Sequence, residues 1–376
     1  MIPLIDLTSQ QNRIRDRIDA AITAVLDHGQ YIMGPEVRQL EDDLGAFSGN
    51  THVVSCSSGT DALMLALMAL GLKPRQGVIV PSYTFAASAE VMPCLGAVPV
   101  FADIDPVSFN LDPDGLANAK AAADKAGIDC VGIITVGLFG QPADYDRIKA
   151  FADAHGMWLL DDAAQSYGAS WQGTKVGHLG KLTATSFFPA KPLGCYGDGG
   201  AVFTEDAELA EIMRSARVHG MGRERYAYDR IGMTARLDSI QAAVLIEKLK
   251  IFSDELGARQ IAADRYADGL AEVVEVPKLV AGATSSWAQY TIKLPHGTDR
   301  HMVQDKLKDA GIPSAIYYTK GMHEHAPYAH YPVAEGGLPV TADCCARVLS
   351  LPIHPYLDDA TQSRIIDAVK AALHQA

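Results

Sequence analysis

Between residues 53 and 204, seven short β-rich runs alternate with helical stretches, and most are closed by Gly, Ser, Thr or Pro. The runs are Val53 to Ser57, Val78 to Pro81, Val98 to Asp103, Val131 to Val136, Trp158 to Asp161, Thr183 to Phe188, and Ala201 to Thr204. Strands separated by helix-length connections cannot pair as tight hairpins, so the alternation predicts an α/β fold with a mostly parallel sheet covered on both faces. Ligands in such sheets bind outside the carboxyl ends of the strands. The residues just after each run are therefore the ones to inspect.

On either side of this block the apolar period becomes helical. Ile14, Ile18, Ile22, Val25 and Leu26 share one face, with Thr8 and Gln11 in capping-box spacing ahead and Gly29 behind, which predicts one amphipathic helix. Ile240, Val244, Leu245, Leu249 and Phe252 form a stripe within a predicted helix from Leu237 to about Leu270, long enough to bridge two lobes. The boundary is placed there, giving a large domain over 1–250 and a smaller α+β domain over 251–376. The second is expected to hold a strand from Trp287 to Leu294, a helix from Met302 to Ala310 and a strand from Ala315 to Tyr318. A closing segment through Leu349 to Ile353 and a helix near Ile365 to Leu373 complete it.

Composition narrows the partners. With 32 Lys+Arg against 45 Asp+Glu the net charge is −13, and no basic run could track a nucleic-acid backbone. An anionic substrate must then be held by local devices, helix N-termini and single cations. No apolar stretch spans a bilayer and the amino terminus lacks a signal-peptide pattern, so a cytoplasmic protein is expected. The six cysteines, without a C-x-x-C pair, are expected to be reduced and mostly core.

The chemistry-bearing segment is Ser186 to Ala201, in which Lys191 sits in a Pro/Gly-rich turn after a strand. Partial desolvation there lowers an amine's pKa and suits it to Schiff-base chemistry; a solvated surface lysine beside a turn is the alternative. Asp161 and Asp162 end the preceding strand, with Gln165 close behind. A strand-end carboxylate needs a positive partner, and a protonated pyridine nitrogen is one, so Lys191 with an Asp points to pyridoxal phosphate. A helix cap or acid/base work by paired carboxylates are the other readings. Ser58, Gly59, Thr60 and Asp61 join a strand to an apolar helix whose first amides can hold a phosphate dianion, and Ser186 can add a hydroxyl. The same serine and threonine also fit plain N-caps. Tyr83, Thr84 and Phe85 bring aromatics to this edge, either to stack on a flat ring or to plug the core. His323, Glu324, His325 and His330 have only weak metal-ligand spacing, and no G-x-G-x-x-G fingerprint is present.

These segments together resemble the DegT/StrS family of pyridoxal-phosphate-dependent nucleotide-sugar aminotransferases, which have the aspartate aminotransferase fold, fold type I. The resemblance runs from Leu4 to the last helix, on Gly29-Gln-Tyr31-Ile-Met-Gly34-Pro35, Ser58-Gly-Thr-Asp-Ala-Leu63, Asp162-Ala-Ala-Gln165, the Lys191 segment, and Arg236-Leu-Asp-Ser-Ile-Gln241. It implies that Lys191 carries the cofactor, Asp162 pairs with its ring nitrogen, and Gln165 neighbours its ring hydroxyl. Gly59, Thr60, Asp61 and Ser186 surround the phosphate, and Phe85 stacks on the ring. It also implies a homodimer with shared sites, in which residues 232–236 enter from the other subunit. Thr234 stands where the family often has an Asn reaching the phosphate.

Within the family, residues 186–200 and 350–357 are most similar to members that aminate a UDP-linked 3-keto-hexuronic acid for bacterial O-antigen. Substrate contacts then map to Gly29, Tyr31, Arg236, Tyr317 and Tyr318. Two positions depart: Tyr317 replaces a His, and Ala190 replaces a Ser. The implied reaction is ping-pong transamination from L-glutamate to a UDP- or dTDP-linked keto-sugar, 3-keto favoured. Relatives that dehydrate sugars generally have His where this chain has Lys191, and a non-catalytic nucleotide-sugar sensor is the remaining alternative.

Overall fold

All seven β-rich runs pair in one sheet. The computed structural model describes residues 2–224 and 226–374. Two helices, α1 (Leu7–Arg13) and α2 (Arg15–His28), stand where one was expected. Ile14, at φ −127° and ψ 20°, separates them, and the cap ahead is Asp6, which accepts from the Ser9 amide, instead of the Thr8 and Gln11 pair. Then follow α3 (Pro35–Ser48), β1 (His52–Cys56), α4 (Gly59–Ala69), β2 (Gly77–Pro81), α5 (Ala87–Cys94), β3 (Val98–Ala102), α6 (Leu116–Lys125), β4 (Cys130–Val136), α7 (Tyr145–Ala154) and β5 (Trp158–Asp162). A small hairpin, β6 (Ser170–Trp171) and β7 (Thr174–Lys175), precedes β8 (Leu182–Ser186), β9 (Gly200–Thr204) and α8 (Ala207–Ala216). The rest is α9 (Ser239–Leu270), β10 (Tyr290–Lys293), α10 (Arg300–Asp309), α11 (Pro339–Arg347), β11 (Val348–Leu351) and α12 (Asp359–Leu373).

The sheet order is β1-β9-β8-β5-β4-β2-β3, and β9 alone runs against its neighbours. Because β1, β2, β4, β5 and β8 point the same way, their carboxyl ends share one edge. That edge gathers Ser58 to Asp61, Tyr83 to Phe85, Asp162 and the Lys191 turn. Distant segments thus converge through topology alone. The strands are buried on both faces, as a sheet sandwiched by helices requires.

A second core lies around the β10–β11 pair, where Tyr266 and Leu270 of α9 meet Tyr290, Ile292, Val303, Leu349 and Val369. Residue 250 falls inside α9, which runs without interruption and packs Leu245 and Phe252 in one cluster and Ala263 and Tyr266 in another. The expected strand from Ala315 to Tyr318 does not form. Ala315 makes one bridge to Ser350, and the backbone beyond is satisfied by a side chain: the Tyr83 hydroxyl donates to the Tyr317 carbonyl at 2.5 Å and accepts from the Tyr318 amide at 3.2 Å. No helix among the described residues is long and apolar enough to cross a membrane.

N-terminal and C-terminal segments meet at His354, which is 3% exposed with neither ring nitrogen hydrogen-bonded among the described residues. Burial lowers its pKa to about 4, against an opposing pull from Asp6. The unfolded chain then binds the proton more readily, so this contribution to stability is full above pH 6.5 and is lost as pH falls toward 4. In thermal melts across that window, wild type should lose up to about 1.4 kcal/mol per pH unit more steeply than His354→Gln. Equal slopes would rule the histidine out as a source of acid sensitivity.

Candidate active site

Successive strand residues face opposite sides, so β5 sends its two carboxylates to different environments. Asp162, 5% exposed, accepts the Ser88 hydroxyl of α5 at 2.6 Å and the Ala164 amide at 3.1 Å. Burial raises its pKa, while those donors and Lys191 pull it back. Asp161 is fully buried on the other face, toward the Tyr145 and Thr183 hydroxyls, and burial raises it to about 7. Both are pushed toward neutrality by burial, but Asp162 alone has a cation and a backbone amide that favour its charge.

Lys191 stands on the turn after β8. Its amide donates to the Phe188 carbonyl at 2.8 Å, and the Cys195 amide closes the loop on the Phe187 carbonyl at 2.8 Å. Burial lowers the amine's pKa, with Asp162 acting in the opposite direction. Desolvation thus pushes amine and carboxylate each toward neutrality.

At the start of α4 the cap is Ser58, whose hydroxyl accepts the Asp61 amide at 3.0 Å. The Asp61 amide is therefore engaged, and its carboxylate accepts from Ser57 and Ser58. Gly59 and Thr60 retain first-turn amides without a partner among the described residues. Ser186 closes the cradle so tightly that a Cβ on Gly59 would lie 2.6 Å from the Ser186 Cβ. Above the edge, Tyr83 is fully buried and Phe85 is 56% exposed. Tyr83 is thus the core plug, and Phe85 offers a free ring face. Gln165 is fixed by its Oε1, which accepts the Phe139 amide at 2.7 Å, and its side chain faces the buried Tyr318 hydroxyl.

The DegT/DnrJ/EryC1/StrS aminotransferase family model matches residues 12–370. The chain belongs to this family. It is 46% identical over 362 residues to the UDP-2-acetamido-2-deoxy-3-oxo-D-glucuronate aminotransferase of Pseudomonas aeruginosa, covering 96% of this chain and 97% of that protein. It is 39% identical over 374 residues to the UDP-N-acetyl-3-dehydro-alpha-D-glucosamine 3-aminotransferase of Acidithiobacillus ferrooxidans, covering 99% and 98%. A DegT/DnrJ/EryC1/StrS aminotransferase from Brucella abortus superposes with a TM-score of 0.97 at 49% identity, covering 99% of this chain and all of that one.

DegT-family aminotransferases use pyridoxal phosphate, and the residues here fit it. The cradle of Gly59, Thr60 and Ser186 suits a phosphate, the dry Asp162 a ring-nitrogen proton, and the uncharged-leaning Lys191 amine an aldehyde. The free face of Phe85 suits a flat ring.

Gly29, Tyr31 and Arg236, expected at the substrate, and Thr234, expected near the phosphate, form a second group around the start of α9. Gly29, in the left-handed region at φ 68°, ends α2 and turns the chain toward Tyr31. Ser239 then stitches this segment down: its amide donates to the Tyr31 carbonyl at 2.9 Å and its hydroxyl to the Gln30 carbonyl at 2.7 Å. Arg236 lies just ahead, its Nε buried without a hydrogen-bond partner among the described residues. Thr234 is exposed and its hydroxyl meets His219 Nε2 at 2.8 Å. No hydrogen bond among the described residues joins Gly29, Tyr31, Thr234 or Arg236 to Lys191 or Asp162, whereas Tyr317 and Tyr318 border the Asp162 side through Tyr83 and Gln165.

Sequence reasoning missed Ser88 and Phe139. Phe139, at φ 62°, supplies the amide that orients Gln165, and nothing in an apolar run after β4 marks such a backbone role. The His323 ring instead bonds the Ser82 hydroxyl at 2.7 Å, and among the described residues no metal-binding cluster occurs.

Asp162→Asn should fold yet lose about a hundredfold or more in turnover, because an amide cannot stabilise a ring-nitrogen proton by charge. Asp161→Asn should stay within about threefold of wild type, since it mimics the protonated acid. Because Asp161's folded pKa is raised, its cost to stability grows as pH climbs from 3.8 to about 7. Chemical denaturation should therefore show Asp161→Asn gaining on wild type at pH 8 relative to pH 5. Reversed sensitivities of the two variants would exchange the roles.

Proposed function

We propose that the chain transfers an amino group from L-glutamate to the 3-keto carbon of a UDP-linked 2-acetamido sugar, acting in the cytoplasm as a homodimer that makes precursors for surface polysaccharide. The carrying observation is the pairing of a desolvated amine, Lys191, with a dry carboxylate, Asp162, beneath an open helix N-terminus. Pyridoxal phosphate, when bound, supplies an aldehyde and an electron-withdrawing ring. The rest is the work of this chain. Lys191 Nζ, kept toward its neutral form, moves the proton between carbon centres. Asp162, aimed by Ser88, holds a ring-nitrogen proton in place. Gly59, Thr60 and Ser186 would hold the phosphate and Phe85 the face of the ring, with Tyr318 at the substrate.

The two relatives act on UDP-linked 2-acetamido 3-keto sugars that differ at C6, a carboxylate in one and a hydroxymethyl in the other. The buried, unpartnered Nε of Arg236 supports the carboxylate, which a guanidinium binds in a bidentate manner. Tyr31 and Tyr317 serve as hydrogen-bonding neighbours. The homodimer is supported by large apolar side chains presented to solvent near Arg236 and Tyr31, among them Ile32 at 49% and Ile231 at 87% exposed. A second copy covering them is the proposed source of Arg236 and Thr234 for each Lys191 pocket.

The deciding experiment is a half-reaction with glutamate, then a panel of UDP- and dTDP-linked 3-keto and 4-keto sugars, scored by recovery of the cofactor's starting spectrum. The UDP 3-keto uronate should react fastest, and Arg236→Lys should lose about tenfold or more of the preference over the neutral sugar. Turnover of dTDP sugars alone would overturn the assignment. Mixing inactive Lys191→Ala with inactive Arg236→Ala should restore about a quarter of wild-type activity if hybrids form freely, since half the dimers then hold one intact site. Absence of recovery after verified subunit exchange would mean that each subunit builds its site alone.

A further inference from the structure

Two side chains of α9, seven residues apart and so about two turns along one face, grip the turn that carries Lys191. Gln241 Oε1 accepts the Tyr196 amide at 2.9 Å, and Lys248 Nζ donates to the Gly194 carbonyl at 2.7 Å. Lys248 is 1% exposed, and its Nζ also lies 4.3 Å from the centroid of the Tyr196 ring. A buried ammonium is costly, and an apolar side chain of similar length would fill the same space without that cost. The carboxylate that acts on the ammonium, Glu255 one further face-repeat along the helix, is already held by Gln10 and the Tyr356 hydroxyl. What the ammonium adds is therefore its contact with the turn.

Gly194 is a tight point of that turn: a Cβ there would lie 2.5 Å from the Pro189 carbonyl oxygen and 2.6 Å from that of Phe188. The Phe188 carbonyl is the one that accepts the Lys191 amide. A pull on the Gly194 carbonyl is thus transmitted within one tight loop to the backbone of Lys191. We propose that Lys248 is a positioning residue that, with Gln241, fixes the Lys191 turn so that the Lys191 amine is aimed at the cofactor aldehyde before the cofactor arrives. The groups facing Lys248 are Glu255 on its own helix and Cys195 and Tyr196 on the turn, with Arg15 and Asp19 of α2 acting on Tyr196 from beyond. Burial lowers the Lys248 pKa to about 8, with Glu255 opposing, so the grip stays predominantly charged at neutral pH.

This inference rests on Lys191 being the cofactor lysine, and the test separates the two. Apoenzyme is mixed with pyridoxal phosphate, and the condensation, in which Nζ bonds the aldehyde carbon and water leaves, is followed by absorbance and by borohydride trapping with peptide mapping. Pyridoxamine phosphate, which has no aldehyde, reports the phosphate and ring contacts alone through its binding affinity. Lys248→Met should slow attachment at Lys191 by about tenfold while changing pyridoxamine phosphate affinity by less than about threefold. Lys248→Arg should attach at near the wild-type rate, and Lys248→Gln, which keeps a donor without the charge, should fall between. If Lys248→Met does not fold, Lys248→Gln and Gln241→Leu read the same pair of quantities. Attachment at the wild-type rate, or an equal loss in both measurements, overturns the proposal. A wild-type label on any other lysine overturns the cofactor-lysine assignment and this proposal with it.

Discussion

Everything in this molecule's site depends on drying two ionisable groups of opposite sign at one sheet edge. Asp162 and Lys191 are far from neutral company in water, and burial shifts each toward its uncharged form. Such a pair is unstable unless the surroundings over-determine it, and they do. Ser88 and the Ala164 amide hold the carboxylate, and the Phe187, Phe188 and Gly194 carbonyls tie down the loop of the amine. Asp161, one residue away, lacks that counterweight. With no cation opposite it, the same chemical group is driven toward neutrality and packs as a polar plug between sheet and helix.

The second constraint is α9. Its first turns hold the Tyr31 segment through Ser239, its next two hold the Lys191 turn through Gln241 and Lys248, and its far half enters the small core with Tyr266 and Leu270. Buried Lys248, Glu255 and Arg259 sit along it, each tied to a distant segment: Gly194, Gln10 and the Trp287 carbonyl. These contacts cost desolvation and fix register, a bargain that makes sense where three separately folded segments must meet at fixed distances.

The sheet was legible because its strands are almost wholly buried, so short weakly polar runs alternate with helix-length connections, and all seven appear within one or two residues of their expected bounds. The Lys191 turn, Asp162 and the α4 start were legible for a related reason: small residues and a charge directly after an apolar run have few structural uses. What failed had a nonlocal cause. Ala315 to Tyr318 has strand-like composition, but the Tyr83 hydroxyl takes the backbone bonds a ladder would have used. Ile14 has helical spacing, but the chain breaks there to turn α1 against α9, where Gln10 reaches Glu255. Ser88, Phe139 and Lys248 were invisible because the contact that matters for each is with a residue at least 26 positions away.

The charge balance carries one more consequence. A protein of net charge −13 repels an anionic ligand at long range, so affinity for a phosphate or a carboxylate must come from contacts within a few ångströms. Open amides at α4 and the buried Nε of Arg236 are groups suited to such contacts, and both depend on direction as much as on charge. A ligand held this way is selected by the geometry of its oxygens instead of by its total charge. Specificity within the proposed substrate class then rests on few positions, carried on the same fold that holds Lys191 and Asp162.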